Sequence, residues 1–188
     1  MINDFNYNTF VYKPFIMKYL FVIFVSLVVL ACHSNKTASS NIQDKTIAST
    51  NCPEDGICTF KVLQNKVLTI KKDGFGELYP ELSDGKKTVI KFEYKRNEIP
   101  NTADSSYSEI IYAEIESNIN EIILKDETLS EAKVLFGRLC FCRGATGYYL
   151  VKEGSLKIST NNKGAKTYKL NFKVNEIPQI ITMFQETL

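Results

Sequence analysis

The chain contains no tryptophan and a single histidine, His33, and its lysines heavily outnumber its arginines. With one histidine, a Ser-His or Cys-His mechanism has no base within the body of the chain, and His-ligated zinc hydrolysis falls for the same reason. No sign of charge dominates either. The formal net charge is +2, with positive and negative residues interspersed, so there is neither a basic arm for nucleic acid nor an acidic tail. Internal repeats and a second domain boundary are also lacking. At 188 residues and 44% hydrophobic content, the composition fits one globular domain with a real core.

Long apolar runs are confined to one place. Tyr19 to Ala31 is uncharged and apolar, follows Met17-Lys18, and ends directly before Cys32. It is short for a membrane span, which needs about 20 apolar residues. It has the parts of a secretory signal: a positive start, an apolar stretch and a small residue at the cut site. Val29-Leu-Ala-Cys32 resembles the lipobox of bacterial lipoprotein signals. That resemblance implies cleavage before Cys32, lipidation of its thiol, and attachment to a membrane through the acyl chains. Met17 makes a cleaner start than Met1, so residues 1–16 are expected to be a non-native extension or a long n-region, and residues 17–31 the signal peptide.

Residues 32–51 are rich in Ser, Thr and Asn with isolated apolar positions, a composition too poor in burial to fold, and are read as a lipidated flexible tether. His33 follows the cysteine where an Asp would favour inner-membrane retention, and no acidic cluster comes after it. By the same resemblance the expected address is the outer membrane, facing the periplasm.

From Cys52 to Leu188 a single β-rich domain is expected, an antiparallel sandwich or barrel. Tyr168, Leu170, Phe172 and Val174 alternate with polar residues, the period of a half-buried strand. Gly154–Thr160 precedes them across Asn161-Asn-Lys-Gly164, which makes a hairpin. Lys66–Lys72, Thr88–Lys95, Cys58–Leu63, Ser108–Glu116, Asn120–Lys125, Lys133–Cys142 and Gly147–Val151 are further strand candidates. Asp73-Gly74, Asp84-Gly85 and Glu153-Gly154 read as turns between them. Ser130–Phe136 has a helical start. Pro178–Glu186, with Pro178 in a plausible first turn and Ile181 and Phe184 three apart, predicts a short C-terminal helix or, equally, a last edge strand.

Beyond Cys32 four cysteines remain, Cys52, Cys58, Cys140 and Cys142. An even count in an exported chain points to structural disulfides. Cys140 and Cys142 share a strand face, and a bridge across one extended residue is near the upper limit of Cα separation. Crossed pairing to the Cys52 and Cys58 segment is therefore expected over local pairing. The spacing does not match structural zinc, no cofactor is implied, and a copper(I) site is the one metal alternative.

One segment stands out, Phe136 to Leu150, where Arg138, Arg143, Tyr148 and Tyr149 surround two cysteines and three glycines. Arg and Tyr favour binding hot spots, and glycine lets a backbone approach closely. The plainer reading is a sheet corner whose tyrosines straddle the two faces. The segment is similar to small Bacteroidota lipoproteins, which implies an address and no activity. Asp126, Glu127 and Glu131 are the carboxylates for a hydrolase, or more simply a solvated turn. Gly85-Lys-Lys-Thr88 lacks the preceding glycine of a phosphate loop and reads as a hairpin turn. The expected function is that of a lipid-anchored envelope protein binding another envelope component or a small ligand; a carboxylate hydrolase and a purely structural or assembly role are the alternatives.

Overall fold

The computed structural model describes residues 44–49 and 51–188. The expectations for residues 1–16, for a signal at 17–31, for Cys32 and for a tether as far as residue 43 fall outside the described residues. Ten strands and one short helix follow in order: β1 Lys45–Ala48, β2 Gly56–Lys72, β3 Leu78–Arg96, β4 Tyr107–Glu116, β5 Glu121–Lys125, a 3-10 helix Asp126–Ala132, β6 Leu135–Cys140, β7 Gly147–Leu150, β8 Glu153–Thr160, β9 Lys166–Lys173 and β10 Met183–Thr187. They form two antiparallel sheets, β1-β2-β3-β4-β6-β7 and β10-β9-β8-β5, packed as a sandwich.

Alternation decides which side chains meet. Phe60 of β2, Phe92 of β3 and Phe136 of β6 project toward the second sheet, where Tyr168, Phe172 and Phe184 receive them. Phe92 and Phe184 stack with centroids 4.8 Å apart, and Phe60 lies 5.3 Å from Tyr168. Aromatic pairs at such spacing add to the area they bury. The expected hairpin is β8–β9, and Asn161 shapes its turn by accepting the Lys163 and Ala165 N–H groups through Oδ1.

The first sheet is also covered on its other face. β2 and β3 run 17 and 19 residues, and the far half of this hairpin curls over the sheet. The bend comes where Asn65 takes a left-handed φ of 54° and the register jumps between Gln64 and Lys66. Asp84-Gly85, expected as a turn, thus lies inside β3 opposite a bulge. Leu68 is thereby buried with Val89, Ile110, Tyr112 and Leu135 in a second core. The arm is fastened at both edges. Leu78 of β3 pairs with Tyr148 of β7. On the β2 edge Glu114 accepts the Leu68 N–H at 2.7 Å, while Lys133, 2.9 Å from Glu114, donates to the Leu68 carbonyl.

Of the two forms expected for Pro178–Glu186, the structure has the edge strand and not the helix: Met183–Thr187 is β10, in which Phe184 and Glu186 turn inward and their neighbours outward. Two other expectations are corrected. The helical turn sits earlier than Ser130–Phe136, at Asp126–Ala132, and stops at Lys133, which is left-handed with φ 47°. Order also begins ahead of Cys52, because Lys45–Ala48 pairs with Thr59–Val62.

Candidate functional site

Register aligns one row of residues across the end of the first sheet: Cys58 faces Tyr94, Tyr94 faces Glu109, and Glu109 faces Arg138. Tyr107 faces Cys140 in the next row. A loop carrying a disulfide flanks each side of these rows. The bridges are Cys52–Cys58 and Cys140–Cys142, which corrects the expected crossed pairing. The expectation assumed that Cys140-Phe-Cys142 stays extended. β6 instead ends at Cys140 and the chain bends at Phe141, which brings the two Cα atoms to 5.1 Å, inside the usual range.

Asp55 holds the first loop. Its carboxylate accepts the Tyr94 hydroxyl at 2.7 Å and meets Arg96 Nε at 3.3 Å, and its carbonyl accepts the Asn97 N–H. Burial, then this hydrogen bond, raises the Tyr94 phenol above its ordinary pKa. Arg138 holds the second loop. Its Nη1 donates to the Ala145 carbonyl at 2.7 Å and its Nε to the Tyr107 hydroxyl at 3.1 Å. Thr146 Oγ1 donates to the Arg138 carbonyl.

Tyr107 joins the two halves. The Arg96 and Arg138 guanidinium groups lie 4.3 and 5.3 Å from its ring centre, within cation–π reach. Its hydroxyl donates to Glu109 Oε1 at 2.5 Å. Burial and that carboxylate push the phenol up to about 12, so it remains a neutral donor across the physiological range. Glu109 is fully buried and also accepts the Ile180 and Ile181 N–H groups, both at 2.7 Å, pinning the loop before β10 over this row. A buried carboxylate needs such partners.

The singled-out residues divide between faces. Arg138 and Tyr149 point toward the second sheet, whereas Tyr148 lies in the second core against Gly137. A Cβ on Gly137 would sit 2.4 Å from the Tyr148 ring, so this glycine serves packing, and the tyrosines do straddle the sheet. Arg143 is exposed in the second loop. Beside it Phe141 is 82% exposed, and a mainly apolar pocket of about 390 Å³ is lined by Cys140, Phe141, Cys142, Arg143, Gly144 and Thr146. That volume is within the range of small-ligand sites.

The carboxylates offer less. Asp126 accepts the Gly154 N–H at 2.9 Å and caps the start of β8. Glu131 shares a pocket with Glu114 and Glu116, but its volume is about 160 Å³, roughly half the lower bound for a ligand site. Glu114 is engaged with Leu68 and Lys133, and Glu116 with Lys87. Among the described residues no His, Cys, Asp and Glu cluster is arranged to hold a metal, and all four domain cysteines are bridged. No helix among them is long and apolar enough to cross a membrane.

Sequence reading missed Arg96, Tyr107, Glu109 and Asp55. One signal was available: Arg96, Arg138 and Arg143 are the only arginines of a lysine-rich chain, and all three fall at this end. No protein-family model, curated protein or solved structure matches the chain.

Proposed function

We propose that the chain is a lipid-anchored cell-envelope protein, held to the outer membrane through acylated Cys32, whose β sandwich binds a partner protein at the end bearing the second disulfide. The observation that carries the binding reading is Phe141, 82% exposed on a loop that Arg138 fixes from below. A large aromatic residue displayed on a pre-ordered loop loses little conformational freedom on contact, as binding hot spots require. Arg143 adds a charged rim, and the neighbouring pocket takes an apolar side chain. The anchor rests on the apolar run ending at Ala31-Cys32. The hydrolase alternative is disfavoured by a small pocket whose carboxylates are largely committed elsewhere.

Two measurements test the halves separately. A fatty-acid analogue should label the exported protein and not Cys32→Ser; label surviving that substitution refutes the anchor. A photo-crosslinking residue at position 141 should give a discrete adduct in intact cells, where one at exposed Ile123 on β5 gives none. Equal yields from both positions refute the binding surface.

A further inference from the structure

The geometry points to the Cys140–Cys142 disulfide as a thiol–disulfide exchange centre that accepts two electrons from a protein dithiol seated on Phe141. This rests on the reading of the same loop as a contact surface and adds a reaction to it.

Position comes first. Cys140 ends β6 and packs on the core, while Cys142 stands beyond the bend at Phe141, outside that packing. Both residues are half-buried, and exchange rates depend on which sulfur an attacking thiolate reaches; Cys142, outside the core packing, is the one assigned to that attack. Both cysteines line the apolar pocket beside Phe141, so an incoming chain has a place to rest.

Charge comes second. Arg143 follows Cys142 directly, and no acidic residue lies between Leu139 and Thr146. A cation so near in sequence favours Cys142 as the leaving thiolate of the second displacement. The other bridge is surrounded differently, since Glu54 and Asp55 sit between its cysteines and Cys58 is only 2% exposed.

Third, the loop has ties other than the bond. Arg138 to Ala145, Thr146 to Arg138, and the Ala145 N–H to the Cys142 carbonyl at 3.2 Å involve neither sulfur. The bridge spans a sequence separation of 2 and restricts the unfolded chain little, so stability alone gives it a small role.

The reaction balances as follows. A partner thiolate attacks Cys142 Sγ, the Sγ–Sγ bond breaks, and Cys140 leaves as a thiolate. The partner's second thiolate then attacks its own sulfur in the mixed disulfide and expels Cys142. The partner dithiol is oxidised to a disulfide, the cystine is reduced to two thiols, and the two protons of the partner's thiols end on Cys140 and Cys142.

The test mixes the oxidised full chain with a synthetic peptide dithiol bearing a leucine beside its cysteines, followed by alkylation and peptide mapping. Peptide oxidation should run about tenfold or more faster than with Cys140→Ser/Cys142→Ser. Alkyl label should appear on Cys140 and Cys142, with none on Cys52 or Cys58 and with near-ultraviolet dichroism unchanged. Reduction of both bridges together, reduction only on unfolding, or peptide oxidation equal to that of the double variant overturns the proposal. Phe141→Ser should slow the peptide but not dithiothreitol. If it slows neither while exchange persists, the contact reading falls and the exchange centre stands.

Discussion

Cys52–Cys58 reaches the core through Cys58, spans a sequence separation of 6, and belongs to a loop tied down by Asp55. Cys140–Cys142 spans a separation of 2, lies beyond the end of its strand, and belongs to a loop tied down by Arg138. One sheet end therefore carries two bonds of identical chemistry in unlike surroundings. The first is part of the packing and has Glu54 and Asp55 between its cysteines. The second meets the core through Cys140 alone and has Arg143 next to it in the sequence. A cystine's role is thus set by what its sulfurs touch and how much chain they enclose.

The strongest way to break this comparison is to remove each bridge. Cys52→Ala/Cys58→Ala should cost about 3 kcal/mol, combining lost chain restriction with a truncated core position. Urea midpoints measure it, and a loss below that of the second bridge would reverse the assignment.

Next in size is the ground between the two loops. Glu109→Gln replaces a carboxylate that accepts three hydrogen bonds by an amide that must present a donor to one of them, a cost of about 2 kcal/mol. Faster hydrogen exchange at Ile180 and Ile181 is the local signature. Tyr107 supplies a pH counterpart. Its phenol ionises near 12 folded against 10 unfolded, so the stability it contributes is complete below pH 10 and disappears as pH rises from 10 to about 12. With ten tyrosines in the chain, the difference between the tyrosinate absorbance titrations of the protein and of Tyr107→Phe reads the folded value.

Gly137→Ala sharpens the second loop's side of the comparison. The added methyl meets the Tyr148 ring and should cost about 1–2 kcal/mol, with Tyr148→Ala recovering part of it in a double-variant cycle. The smallest effect belongs to Cys140→Ala/Cys142→Ala, under about 1.5 kcal/mol, because so short a loop restricts the unfolded chain least.

Much of the sandwich was legible where one face is buried and the other wet. The alternation from Tyr168 to Val174 and the Asn161–Gly164 turn located β8 and β9 because each strand of that hairpin obeys the period of two. β4 gave a weaker signal because the curled arm buries its second face, so Ile110 and Tyr112 are buried along with Ile111. Asp84-Gly85 has turn chemistry that a bulge also uses, and only its partner Asn65 distinguishes the two. Ile181 and Phe184 share a helical spacing by coincidence: Glu109 pins the first, and the second enters the core from β10. At the candidate site, the cysteines and Arg138 showed in the sequence as unusual residues in a cluster. Tyr107 and Glu109 did not, since each occupies an ordinary strand position and acquires its role from neighbours on β6 and the loop before β10.

The curled arm has a kinetic consequence. Its fastenings join Leu68 to Glu114 and Lys133, partners 46 and 65 residues away along the chain. Contacts of such separation carry a loop-closure cost, and the arm is expected to dock late in folding and open early in unfolding. Opening frees the Leu68 N–H and uncovers Val89, Ile110 and Leu135 while the aromatic layer between the sheets stays shut. Exchange of the Leu68 amide in native buffer then reports a partial opening with its own lower free energy, separate from global unfolding.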